Sequence, residues 1–196
     1  MTSFSSPTLE RGLDTMLVVY STLTGHPAAT ACEQFIRSRT GWFTTSLSFL
    51  EAKAVLTKVY GIEAALVTEK LAQLTQGLVT VVAVDAGTSL EAMKLADDHN
   101  LDLTDAVLLS CLLTNQSLEI ATDDQKLAQI CRQLGFTVVN PIDSSLRLLM
   151  AQWEAENIPP KGLPRILRQF HRWLGLNHPQ VADDFWSQTG GGSHLP

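Results

Sequence analysis

Short apolar runs alternate with longer segments of helical period, and this alternation restricts the fold more than any other feature of the chain. The clearest run is Leu78 to Val84, compact and rich in β-branched residues, which suits a strand. Trp42 to Thr45, Leu118 to Ala121 and Phe136 to Val139 read as shorter strands, and Leu9 to Leu13 as a weak one interrupted by Glu10 and Arg11. Between them lie helical patterns: from Pro27 to about Arg39, burying Ala31, Phe35 and neighbours; from Phe49 to near Gly61; Glu63 to Thr75; Thr88 to His99; Asp105 to Leu113; and Gln125 to Leu134, stopped at Gly135. Leu17 to Leu23 is apolar throughout, and periodicity does not separate strand from helix there. Strands that alternate with helices point to an α/β fold with a mostly parallel sheet. Ligands in such sheets gather at the carboxyl ends of the strands.

Four acids stand where that edge would be: Asp14, Glu51, Asp105 and Asp124 each border an apolar run and a helix. A carboxylate in such a place is costly to desolvate unless something compensates it. A hard divalent cation is one compensator, because carboxylate oxygens suit it. Each acid also has an ordinary explanation. Asp124 or Thr122 can cap the helix that starts near Gln125, and Thr104 or Asp105 the one before it. Glu51 can pair with Lys53 or Lys58, and Asp14 can be a turn residue.

The whole chain sets further bounds. Its 196 residues are 45% hydrophobic and 17% charged, enough for one domain with a substantial core and an appendage. No apolar run is long enough to span a bilayer, and the first residues lack the pattern of a secretory signal. Cys32, Cys111 and Cys131 are widely spaced and form no CxxC pair, so a reduced, cytoplasmic setting is expected. The net charge of −6 argues against indiscriminate nucleic-acid binding. Lys161 to Trp173 nevertheless carries Lys161, Arg165, Arg168, His171 and Arg172 with no acid. Arg165, Arg168 and Arg172 share a helical face, which suits phosphate contact or a solvated basic side. The five histidines show no ligand spacing, Ser48 and Ser110 lie in no GxSxG setting, and no glycine-rich phosphate loop exists.

In order along the chain stand Asp14-Thr15, Ser46 followed by Glu51 on a helix, Thr104-Asp105-Ala106, and Ala121-Thr122-Asp123-Asp124. This series resembles the PIN-domain nucleases, including VapC-type toxins, over roughly Leu9 to Asp143. The resemblance implies a three-layer α/β/α sandwich and an acidic pocket that holds Mg²⁺ or Mn²⁺. Asp14, Glu51, Asp105 and Asp124 would be the acidic quartet, and Asp123 would share or replace the role of Asp124. Thr15 and Thr122 would orient the carboxylates. The implied activity is metal-dependent endoribonuclease cleavage, with RNA as substrate, a small antitoxin as partner, and a homodimer as an allowed assembly. Beyond the span of the resemblance, the shared face of Arg165, Arg168 and Arg172 reads either as an RNA-backbone contact beside that site or as the solvated basic side of an amphipathic helix. Competing readings are a non-catalytic PIN-like module that binds RNA or protein, and a receiver-like phosphoacceptor. The latter is disfavoured because Phe136 to Val139 leads into Asn140-Pro141 with no lysine.

By composition, residues 1–8 form a disordered N-terminus, 9–143 the nuclease-like domain, 144–175 a C-terminal helical extension, and 176–196 a flexible tail ending in GGGSHLP.

Overall fold

A computed structural model describes residues 9–158 and 165–188, the side chains of 165–169 excepted. The expectations for residues 1–8, for 159–164 within the helical extension and for the last eight residues lie outside it. The chain divides by its internal contacts into Met1–Arg147 and Leu148–Pro196.

In the first unit the elements run β1 (Arg11–Leu13), α1 (Thr15–Thr22), α2 (Ala29–Arg37), β2 (Trp42–Thr45), α3 (Ser46–Lys58), α4 (Ala64–Leu74) and β3 (Val79–Val82). They continue with α5 (Ala86–His99), α6 (Leu103–Thr114), β4 (Glu119–Ala121), α7 (Gln125–Gln133), β5 (Thr137–Val139) and the start of α8 (Ser144–Asn157). All five strands are parallel, in the order β3-β2-β1-β4-β5. The chain leaves β1 towards β2 and β3, then returns to β4 and β5 on the other side of β1. Right-handed crossovers therefore put helices on both faces of the sheet.

Side chains on β2 show the two layers directly, since successive residues of a strand face opposite ways. Trp42 turns towards α2, where its indole N–H donates to the Ile36 carbonyl at 3.1 Å. Phe43 faces the other way, into a buried cluster with Leu95 of α5, Leu108 and Leu112 of α6, Ile120 of β4 and Leu127 of α7. Each such fully buried side chain contributes about 1.5–3 kcal/mol relative to exposure. The contact between β1 and α6 is especially close. A Cβ placed on Gly12 would stand 2.9 Å from Leu112 Cδ2, so only hydrogen fits there.

Most helices follow their expected spans within a few residues. Three details are informative. The ambiguous stretch from Leu17 to Leu23 is helix α1 as far as Thr22, and Leu17, Val18 and Val19 are all buried. A helix covered on every side has no polar face, so its period is unreadable. On α2 the fully buried residues are Cys32 and Ile36, with their neighbours Ala31 and Phe35 half-buried on the same side. Gly135, with φ +91°, ends α7 as anticipated.

The second unit holds most of α8, then α9 (Arg165–Asn177) and α10 (Pro179–Gln188). α9 and α10 pack through aromatic rings: Phe170 meets Phe185 edge-on at 5.4 Å, and His171 meets Trp186 at 5.4 Å. A flexible tail was expected from residue 176, but α10 occupies Pro179–Gln188. Proline at the first helical position and apolar Val181, Ala182 and Phe185 explain it.

Candidate active site

The strand order changes direction between β1 and β4, and the carboxyl ends of these two neighbours form the crevice in which open α/β sheets bind ligands. Leu13 pairs with Ala121, and the Asp14 amide donates to the Ala121 carbonyl at 3.0 Å. The Thr122 amide donates to Val139 of β5 at 3.2 Å. Backbone pairing thus brings the segments that carry Asp14 and Thr122–Asp124 side by side at one edge.

Asp14 is 5% exposed and stands at the N-cap of α1, yet its side chain makes no capping bond. The Thr122 hydroxyl donates to its Oδ2 at 2.7 Å instead. The helix N-terminus favours a negative charge there. Burial nonetheless pushes the Asp14 carboxyl up to about 6, against the lowering effect of Thr122 and the Thr15 amide; Asp124 and Glu51 add to the rise.

Thr15, the next residue, donates its hydroxyl to Glu51 Oε2 at 2.9 Å. Glu51 is carried by α3, which begins directly at the end of β2 because Thr45 caps it by accepting from the Ser48 amide at 3.0 Å. Glu51 takes this hydroxyl rather than either of the lysines on its own helix, and Lys53 donates to Thr68 instead.

Asp105 lies half-buried in the first turn of α6. Among the described residues it has no hydrogen-bond or ion-pair partner. Burial lifts it to about 7, with further contributions from Asp14, Asp124, Asp102 and Glu51 in that order. The α6 cap is Asp102, whose side chain makes no capping bond. Asp102 was absent from the sequence reading, although its place three residues before Asp105 put it on the same turn.

The two adjacent acids after β4 behave differently. Asp124 is exposed and caps α7, its Oδ1 accepting from the Leu127 amide at 2.7 Å. Its own amide donates to the Thr122 hydroxyl at 3.0 Å. Of the two caps open to this helix, Asp124 is the one used, and the Thr122 hydroxyl bridges Asp124 to Asp14. Asp123 is bound by the Arg147 guanidinium and by Asn140 Nδ2 at 2.9 Å.

Asp14, Glu51, Asp105 and Asp124 thus share one edge and repel one another. Among the described residues, however, no three His, Cys, Asp or Glu side chains stand close enough together to surround a metal ion. The arrangement is an open acidic edge, not a closed cage. Its donor chemistry suits a hard divalent cation: the groups are carboxylates, two are held by threonine hydroxyls, and the mutual repulsion is of the sign that a cation relieves. Of the basic residues on α9, the side chains of Arg165 and Arg168 lie outside the described residues, and Arg172 is exposed.

Comparison with known proteins agrees with this architecture. VapC20 of Mycobacterium tuberculosis, a toxin that cleaves the sarcin–ricin loop, superposes with a TM-score of 0.55 at 14% identity, over 62% of this chain and 95% of its own. PAE2754 from Pyrobaculum aerophilum superposes with a TM-score of 0.51 at 16% identity, over 76% of this chain and 100% of its own. VapBC2 from Rickettsia felis, bound to a DNA fragment from their promoter, aligns with a TM-score of 0.49 at 13% identity, over 66% and 97%. No curated protein matches the sequence. The family model for the PIN domain matches residues 13–133, which span β1 to α7 and include every acid of the shared edge, and the chain belongs to the PIN domain family.

Proposed function

We propose that this protein is a divalent-metal-dependent endoribonuclease of the toxin kind, acting through Asp14, Glu51, Asp105 and Asp124. The observation that carries the reading is the electrostatic coupling of four carboxylates at the β1–β4 crevice of a PIN domain, two of them lifted to about 6 and about 7. Strongly perturbed acids in a cleft are a mark of functional sites. Mg²⁺ or Mn²⁺, when bound, would neutralise charge on the phosphate and lower the pKa of water.

The chain's own residues supply the rest. Thr122 holds Asp14 by its Oδ2 at 2.7 Å. Thr15 holds Glu51 by its Oε2 at 2.9 Å. Asp124 keeps Oδ2 available while Oδ1 caps α7. Asp105, lacking a protein partner among the described residues and poised near neutrality, can hold or release a proton at its carboxyl. The N-termini of α1, α6 and α7 all open at this edge and direct amide dipoles towards it. RNA would be the substrate, with Arg172 and its neighbours Arg165 and Arg168 supplying backbone contacts. A small antitoxin is the proposed partner, a homodimer the proposed assembly and the cytoplasm the proposed setting.

The test uses the purified chain with single-stranded RNA and Mn²⁺ or Mg²⁺. Wild-type protein should cleave, EDTA should stop it, and Asp105→Asn should abolish it. Equal cleavage by Asp105→Asn would place the activity elsewhere. A wild-type protein that binds RNA without cutting it at any metal concentration would favour the non-catalytic module.

A further inference from the structure

Two neighbouring carboxylates leave β4, and only one belongs to the acidic edge. Asp123 is the more enclosed: its side chain is 12% exposed. Both terminal nitrogens of Arg147 donate to it, Nη2 at 2.5 Å to Oδ1 and Nη1 at 3.2 Å to Oδ2, and Asn140 Nδ2 adds a bond at 2.9 Å. A paired guanidinium fork of this kind fixes a carboxylate in orientation as well as position.

The clamp is itself anchored. Asn140 Oδ1 accepts from the Ile142 amide at 2.9 Å. Asp143 Oδ1 accepts from the Leu146 amide at 2.8 Å and from the Ser145 hydroxyl at 2.7 Å, and these bonds cap α8. The Arg147 amide closes the same turn by donating to the Asp143 carbonyl at 3.0 Å. Arg147 therefore reaches Asp123 from a capped helix start. On the other side of the peptide, Asp124 is among the charges that raise both Asp14 and Asp105, whereas Asp123 is among neither set.

We propose that Arg147 is a positioning residue: with Asn140 it withholds Asp123 from any cation at the acidic edge and leaves Asp124 to face Asp14 and Asp105. This rests on the functional reading above. It assigns a role to the first turn of α8, which lies beyond the residues matched by the family model.

The test is a Mn²⁺ titration of the full chain, followed by the electron paramagnetic resonance of free Mn²⁺, with RNA cleavage measured in parallel. Arg147→Met releases a carboxylate next to Asp124, so Mn²⁺ should bind about tenfold more tightly while cleavage falls. Arg132→Met, which removes the same charge at the far end of α7, should leave Mn²⁺ affinity within about twofold of wild type. The double variant Asp123→Asn/Arg147→Met should return Mn²⁺ affinity to the wild-type value, because no carboxylate is released. Arg147→Lys keeps the charge without the fork and should move affinity the same way by less.

Equal affinities in Arg147→Met and Arg132→Met, or a double variant that binds as Arg147→Met does, would overturn the inference alone. Weakened binding in every Arg147 variant would reduce Arg147 to a support of the fold and overturn it too. If wild-type protein binds no Mn²⁺, the functional reading falls with it.

Discussion

The Thr122 hydroxyl donates to Asp14 Oδ2 across 2.7 Å, although 108 positions separate the two residues. It is the side-chain hydrogen bond that offsets the burial of that carboxylate. Thr122→Val keeps the shape and removes the donor. It should destabilise the chain by about 1–3 kcal/mol at pH 7.5, as expected for a buried acceptor left unsatisfied. Thr122→Ser should recover most of the loss. Urea denaturation of the three proteins measures both.

Asp14 and Asp105 are raised from 3.8 to about 6 and about 7. Each therefore binds a proton in the folded chain at pH values where the unfolded chain has already released it. The sign follows: without metal, the contribution of these groups to stability falls as pH rises from about 4 to about 7. Asp105→Asn removes the upper part of that slope. At pH 7.5 and in EDTA it should be more stable than wild type by about 2 kcal/mol, after discounting for partial solvent exposure. Stability curves at pH 5 and pH 7.5 check the sign, since the gain should shrink at the lower pH.

Divalent metal should reverse that penalty. At Mn²⁺ a hundredfold above its dissociation constant, the gain is about 2.7 kcal/mol, or roughly 5–10 °C in Tm for a chain of this size. Asp105→Asn should show less than half of the shift. Scanning calorimetry with Mn²⁺ and with Ca²⁺-free EDTA decides it; an unchanged wild-type Tm would count against metal binding.

Thr15→Val frees Glu51 from its hydroxyl donor. RNA cleavage should drop about 10- to 100-fold, the usual cost of losing an orienting partner at a metal site. Stability should change by no more than about 1 kcal/mol, because Glu51 is only partly buried and water can replace the bond. Cleavage rates and denaturation curves together separate orientation from folding.

Gly12→Ala tests the packing of β1 on α6. The added methyl would stand 2.9 Å from Leu112 Cδ2, so this fully buried side chain has to shift. A loss of about 1–3 kcal/mol is expected from overpacking. The same shift acts on the helix that carries Asp105, so cleavage should fall by more than stability predicts.

Much of this fold can be read in one dimension because its strands are short and its helices amphipathic. Trp42 to Thr45 was expected as a strand and is β2 with the same ends. Where the signal failed, burial explains it. α1 is covered on all sides and so shows no period, and α10 hides its apolar residues among polar ones in a short helix. The acids of the candidate site stood out through their Thr and Ala neighbours. Their relations did not. That Glu51 would find Thr15 rather than Lys53 or Lys58 depends on the parallel pairing of β1 with β2, which local spacing does not encode. Asp123 and Asp124 are equivalent as letters; the difference between them comes from Arg147, on a helix one strand later.

The insertion of β1 between β2 and β4 has a consequence for synthesis on the ribosome. A nascent chain that has emerged through β3 already holds Asp14 and Glu51, yet the strand that completes their neighbourhood does not exist. At about 5–20 residues per second, the 108 positions from Asp14 to Thr122 take about 5–20 s to add. During that interval the acidic edge lacks Asp105, then Asp124, so the four carboxylates can come together only after β4 has been made.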